Sequence, residues 1–234
     1  MTGPVQKALA AFRGGPASEG WRTLRFFAEG AADAVAARVD ERIAAGAVVL
    51  PPPEHIFTSL SLTPLHRVKV MILGQDPYPT RGDSHGLAFS YRGPRRLPAS
   101  LRVIFDELST DLDIPRPRTG DLTAWAEQGV LCINTALTVE EGSAGAHLKF
   151  GWQALADEAM AAISAHQPAV VFLLWGNAAR KRAVLVDRAK HLVLESGHPS
   201  PLNRLNDFRG TRPFSRANAW LAEKGLEPID WRLP

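Results

Sequence analysis

A chain of 234 residues, 45% hydrophobic and 22% charged, is long enough for one domain with a full core and lacks the composition of a disordered protein. Its single cysteine, Cys132, excludes an intrachain disulfide, no Cys/His spacing fits a zinc site, and no apolar run is long enough to span a bilayer. The net charge is only +3, yet residues 176–216 hold nine Lys/Arg against three Asp/Glu, and residues 91–102 hold four arginines and no acid, so the rest is net acidic and the basic part reads as a polyanion-facing surface.

Residues 1–20, rich in Gly, Ala and Pro, are expected to be irregular or loosely helical. Residues 21–45 repeat apolar side chains at helical spacing (Leu24, Phe27, Ala31, Val35, Val39, Ile43), and Gly46 ends that helix. Pro51, Pro52 and Pro53 stiffen the next turn, and residues 56–65 carry a short helical piece. The run at 68–73 (VKVMIL) has the length and β-branched content of a buried strand. Residues 130–133, 169–175 and 191–194 read as further parallel strands. Residues 100–112, 122–128, 152–165 and 178–189 have helical period, and a last helix over 215–224 ends at Gly225. Strands alternating with helices predict a single three-layer α/β domain whose central four-stranded, mainly parallel sheet is flanked by helices. The N-terminus lacks a cationic segment followed by an apolar one, so a soluble cytoplasmic protein is expected. Lys7, Arg13, Arg22 and Arg25 outnumber Glu19 and Glu29, which leaves an organellar presequence open.

Each strand run is followed by polar residues: Gly74-Gln75-Asp76-Pro77-Tyr78 after the first, Asn134-Thr135 after the second, Gly176-Asn177 after the third and Gly197-His198-Pro199-Ser200 after the fourth. Ligands of open α/β sheets bind at the carboxyl ends of the strands, so these residues are expected on one edge. A residue before proline is driven into extended geometry, which restricts Asp76, Tyr78, His198 and Ser200. One carboxylate and one imidazole on proline-braced loops form a candidate acid/base pair. There is no nucleophile elbow, phosphate loop or dinucleotide fingerprint, and one carboxylate is a poor magnesium site. The amides of Gln75 and Asn134 suit the edge of a nucleobase, and Tyr78 and Phe89 can stack on it or wall it in. With basic flanks for phosphates, this reads as a base pocket on a DNA-binding face, and chemistry on a base within a duplex requires that the nucleotide be flipped out.

The segments GQDPYP, HGLAFS, LCINTALTV, LLWGN and HPSPLN, with PFSRAN and EPIDW, resemble family 1 uracil-DNA glycosylases, in family order over about residues 51–231. The resemblance implies an α/β domain with a four-stranded parallel sheet and excision of uracil from single- or double-stranded DNA, releasing free uracil without metal or organic cofactor. It implies that Asp76 activates the attacking water and favours the cationic sugar, while His198 hydrogen-bonds uracil O2 as the base leaves as an anion. Asn134 would read N3–H and O4, Gln75 would help hold O2, Phe89 would stack on the ring, and Tyr78 would exclude the 5-methyl of thymine. Leu202 would wedge into the vacated stack, and Ser100, Gly176, Asn177 and Ser200 would lie on phosphate-pinching loops, with Asn203 and Arg204 on the same DNA side. A monomer is expected.

The chain departs from the family at three places. Pro79 stands where the family has His, Asn177 where it has Ser, and Asn203 to Gly210 (NRLNDFRG) where it has Ser and a Gly-Phe-Phe-Gly run. Strand preference and recognition by the family's protein inhibitor are left open by these changes. Two other readings stand beside the first. A base-excision glycosylase of broadened specificity would release bases besides uracil, and a non-catalytic DNA-binding module would bind uracil-containing DNA without releasing base.

Overall fold

The computed structural model describes residues 2–234. The chain opens with α1 (Pro4–Gly14), α2 (Arg25–Ala28) and α3 (Ala31–Ala44), then β1 (Val49–Leu50), α4 (Thr58–Leu62) and β2 (Val70–Gly74). α5 (Ala99–Leu112), α6 (Thr123–Glu127), β3 (Val130–Asn134), β4 (Val139–Glu140) and α7 (Trp152–His166) follow, and β5 (Val171–Trp175), α8 (Asn177–Arg180), β6 (Leu192–Ser196) and α9 (Pro213–Glu223) complete the chain.

The parallel sheet has the order β3-β2-β5-β6. After β2 the chain moves to one neighbour, β3, and then crosses back to the other, β5. Loops leaving β2 and β5 thus diverge and open a crevice at the carboxyl edge. Side chains alternate between the sheet's faces. Met71, Leu73, Leu131, Ile133, Phe172 and Leu174 join one core with α1, α3 and α7. Val70, Ile72, Val130, Cys132, Leu173 and Trp175 join the other with α5, α6 and α9. A sheet buried on both faces explains why its strands read as unbroken apolar runs. This is the single α/β domain with helices on both faces that the alternation of elements predicts.

Four local expectations change. Residues 4–14 form a regular helix: Pro4 opens it, the Gln6 side chain accepts the Gly3 N–H at 3.0 Å, and Asp40 of α3 accepts the N–H groups of Val5 and Gln6 at 2.8 and 3.1 Å. Its buried Val5, Leu9 and Phe12 were masked in the sequence by Ala and Gly around them. The helix expected over 21–45 is divided by an extended Leu24 and by Gly30, whose φ is +87°. The helix expected over 178–189 shrinks to α8 and a 3-10 segment, Lys181–Leu185, because the Asp187 carboxylate accepts the Ala189 N–H at 3.0 Å and turns the chain. A short antiparallel pair, β1 with β4, was not predicted; it ties Val49 to Glu140 and Leu50 to Val139. Among the described residues no helix is long and apolar enough to cross a membrane.

One helix fixes the far side of the crevice. The side chain of Asp111 on α5 is fully buried and accepts the N–H groups of Phe214 and Ser215 at 2.9 and 2.8 Å, the Ser215 hydroxyl, and Arg212 Nε at 3.2 Å. One turn earlier, Glu107 accepts the N–H groups of Gly210 and Arg212 at 2.7 and 2.9 Å. These carboxylates anchor the start of α9 and the loop before it. Asp111→Ala strands buried donors and is expected to cost about 2–4 kcal/mol by urea unfolding. Arg212→Ala removes only the exposed partner and should cost under about 1 kcal/mol. Equal losses in the two variants would contradict this assignment.

Candidate active site at the carboxyl edge of the sheet

Parallel register aligns Gly74 of β2 with Asn134 of β3, and Trp175 of β5 with Ser196 of β6. The polar residues after each strand therefore leave the sheet at one level. They line two adjoining clefts of about 290 Å³ each. Gln75, Asp76, Tyr78, Phe89, Ser100, Asn134 and His198 all border one of these. Gly176 and Asn177 border the other, which shares Gln75 and His198. The carboxylate and the imidazole, 122 positions apart in the chain, thus open into the same cavity.

The loop after β2 is held by its neighbours. Thr135 and Ala136 donate their N–H groups to Gly74 and Gln75 carbonyls at 3.0 and 2.9 Å, and the Thr135 hydroxyl also donates to the Gln75 carbonyl at 2.9 Å. Asp76 Oδ2 accepts the Gly145 N–H at 2.6 Å, and the Gln75 amide donates to Asp76 Oδ1 at 3.4 Å. Burial nevertheless raises the Asp76 pKa above the ordinary carboxylate value, and these two hydrogen bonds oppose that shift. The Tyr78 hydroxyl donates to the Phe89 carbonyl at 2.9 Å, and burial pushes its pKa up, so it stays a neutral wall. Phe89 is held at φ +63°, a costly conformation for an aromatic residue, with its ring 6.0 Å from that of His198 and 5.6 Å from Trp175.

His198 stands at the cleft rim, exposed on its outer side. The protein packed around it lowers its pKa below the ordinary 6.5, so the ring is neutral at pH 7. Its carbonyl accepts the Ser200 N–H at 2.7 Å and the Asn203 amide at 3.2 Å. A neutral imidazole offers one ring N–H as a donor without carrying a charge that would need a counter-ion.

Three features were not found in the sequence. The first is the segment 141–145, whose Gly145 N–H holds Asp76; Gly142 donates to the Pro79 carbonyl at 2.8 Å, and Arg81 pairs with Glu141 at 3.0 Å. Its only sequence signal is the turn-rich run Gly142-Ser143-Ala144-Gly145, because the group that acts is a backbone N–H. The second is Ser84, whose buried hydroxyl lies beside the cleft without a protein partner among the described residues. The third is that Asn203 turns its amide inward onto His198 and Asp207, while Leu202 and Arg204 remain exposed. Ser200 accepts the Leu202 N–H through its hydroxyl at 3.2 Å, so part of this loop braces itself.

The basic excess is smaller in space than in sequence. Arg182 pairs with Asp157 at 2.5 Å, Arg188 with Glu195 at 2.7 Å, Arg209 with Asp106 at 3.1 Å, Arg92 with Asp121 at 2.7 Å and Arg95 with Asp83 at 2.8 Å. Within the two basic segments, Arg96, Arg102, Lys181, Arg204 and Arg216 have no ion pair among the described residues, so these are the cations those segments leave for a polyanion.

A pocket with two amides, two aromatics, one buried carboxylate and one neutral imidazole is suited to reading a pyrimidine and withdrawing electrons from it. Comparison with known proteins agrees. The model of the Uracil DNA glycosylase superfamily matches residues 60–222. A uracil-DNA glycosylase of Azotobacter vinelandii is 51% identical over 191 residues, 82% of this chain and 82% of that protein. One from Rhizobium meliloti is 51% identical over 189 residues, 81% and 78% of the two chains. The crystal structure of a mimivirus uracil-DNA glycosylase superposes with a TM-score of 0.81 at 25% identity, covering 93% of this chain and 85% of that one. A mimivirus UNG variant solved in complex with UGI superposes with a TM-score of 0.85, covering 96% and 91%. With 51% identity to curated relatives over about four fifths of its length and a family model matching residues 60–222, the chain belongs to the uracil-DNA glycosylase superfamily.

Proposed function

We propose that the protein acts as a family 1 uracil-DNA glycosylase, hydrolysing the bond between uracil and deoxyribose of a flipped-out nucleotide and leaving an abasic site. The observation that carries the mechanism is the shared cavity: Asp76 and His198 border one cleft with the Asn134 amide and the Phe89 ring. Uracil fits this cleft with Phe89 on its face, Asn134 at N3–H and O4, and Gln75 and His198 at O2. Tyr78 closes the side where thymine carries its methyl group.

The bond that breaks is C1′–N1, and its electron pair leaves with uracil as an anion stabilised by the His198 ring N–H. The positive charge left on the sugar is opposed by the Asp76 carboxylate, which also takes a proton from the attacking water. Fixed donors and charges aimed at where charge develops are the strongest single contribution to such a reaction. A second carboxylic acid of the kind glycosidases use on oxygen leaving groups is unnecessary, because a uracil anion leaves more readily than an alkoxide. The assigned steps use side chains alone and no metal or organic cofactor. Ser100, Gly176, Asn177 and Ser200 would meet phosphates on either side of the flipped nucleotide, with Leu202 filling the vacated stack and Arg204 beside it. We further propose that the enzyme acts in the cytoplasm as a monomer, the latter supported by a cleft whose lining comes from one chain.

Incubation with a labelled oligonucleotide containing one uracil, followed by alkali cleavage, tests this directly. Asp76→Asn and His198→Ala are each expected to lose about 10²–10³-fold in rate while still binding the DNA. Normal cleavage by His198→Ala would overturn the role given to that ring. Release of bases besides uracil would favour the enzyme of broadened specificity.

The pH dependence has a definite sign. Asp76 must be ionised, with a pKa raised by burial, and His198 must be neutral, with a pKa lowered by burial. Both requirements are met by losing protons, so activity rises as pH increases through the acid range and is complete by about pH 7. Single-turnover rates across that range check it, and a profile falling between pH 5 and pH 7 would contradict it.

A further inference from the structure

The loop after His198 carries two apolar side chains into solvent. Leu202 is 88% exposed and Leu205 is 81% exposed, and among the described residues Val184 alone joins them as an exposed large hydrophobic. Leu202 is assigned to the stack vacated by the flipped nucleotide, and Leu205 has no part in that step.

The geometry of the loop makes the two leucines equivalent. The Asn203 N–H donates to the Ser200 carbonyl at 2.9 Å, and the Asn206 N–H donates to the Asn203 carbonyl at 3.1 Å. These are two successive turns hinged at Asn203, and Leu202 and Leu205 hold the same position in each, just before the donor that closes the turn. The Asn203 side chain locks both turns to the site: its Oδ1 accepts the Leu205 N–H at 3.3 Å, and its Nδ2 donates to the His198 carbonyl at 3.2 Å and to Asp207 Oδ1 at 2.7 Å. Gly197 lets this bracket close, because a Cβ there would collide with Asp207 and with the Asn203 amide.

We propose that Leu205 is a second apolar wedge that packs against the bases of the complementary strand when the substrate is duplex DNA. The proposal rests on the DNA-directed reading of this loop and extends it. Water gives an exposed leucine no favourable partner, and the apolar surface DNA presents lies on the faces of its bases. Arg204, between the leucines and without an ion pair among the described residues, supplies charge complementary to phosphate. Three residues of chain place the two leucines at most about 10 Å apart. The duplex rises about 3.4 Å per base step and its minor groove is about 6 Å wide. With Leu202 in the gap left by the flipped nucleotide, Leu205 reaches the opposite strand within one or two steps. A single strand offers it nothing at that place. Leu205 is therefore assigned to the preference between duplex and single strand, and Asn203 is the positioning residue that fixes it relative to His198.

Binding tests this without depending on catalysis. The probe is an oligonucleotide carrying a tetrahydrofuran abasic analogue, single-stranded or paired with its complement, with affinity read by fluorescence anisotropy. Leu205→Ala should weaken duplex binding about tenfold, the scale of losing one buried leucine contact, and leave single-strand binding within about twofold. Leu205→Met, which keeps apolar volume, should restore duplex binding. Because Leu205 is exposed in the free protein, the melting temperature should not move. An unchanged duplex affinity, or an equal loss on both probes, would overturn the proposal. Uracil release by the wild type, measured in parallel, separates failure of this wedge from failure of the glycosylase reading.

Discussion

At Gly74 the backbone of β2 passes so close to the Asn134 side chain that a Cβ there would overlap the Asn134 amide oxygen and crowd Ala88. Everything in the site is placed relative to that approach. The parallel pairing of Gly74 with Asn134 sets the level at which both strands end, and the absence of a side chain at Gly74 lets the amide lie across the end of β2. Gln75 and Asp76 then emerge beside it, and Phe89, in the segment whose Ala88 N–H pairs with the Cys132 carbonyl at 3.0 Å, lines the same cleft. An alanine at position 74 would displace the Asn134 amide from its place in the cleft, so the end of the sheet itself shapes the pocket.

Around this approach the protein holds groups in states that water would not favour. Asp76 is a half-buried carboxylate whose Oδ2 is held by one backbone N–H, His198 is kept neutral, and Phe89 is held in a left-handed backbone conformation. Each of these costs stability, and each is what the proposed reaction uses. The compensation lies elsewhere, in apolar layers on both faces of the sheet and in the Glu107 and Asp111 carboxylates that tie the C-terminal loop to α5. That tie also couples the two sides of the crevice, since α5 begins beside Ser100 and the loop it anchors carries Leu202 and Leu205.

The sheet and the pocket were legible because their signals are local. Strand runs, proline-braced loops and contiguous motifs such as GQDPYP and HPSPL survive in one dimension, and the rule that ligands sit at strand carboxyl ends brings them together. Features built from remote partners were not legible. Gly145 acts through a backbone N–H and has no side chain to announce it. Asn203 looks like a DNA-facing amide until its bonds to His198 and Asp207 are seen. The basic excess in residues 176–216 was overread because Asp157, Asp106 and Asp111, which neutralise Arg182, Arg209 and Arg212, lie far upstream. The helix α1 was hidden because its first-turn donors are satisfied by Asp40, a residue in another helix.

A crystal structure with duplex DNA containing an uncleavable 2′-fluoro-deoxyuridine would test the central claim most directly. The account predicts the uracil ring on Phe89 with its O4 edge at Asn134, the His198 ring nitrogen within hydrogen-bond distance of O2, and the Asp76 carboxylate facing C1′ from the other side. A uracil lying instead in the neighbouring cleft beside Thr135 and Ala178, or with Asp76 and His198 on the same side of the sugar, would contradict it.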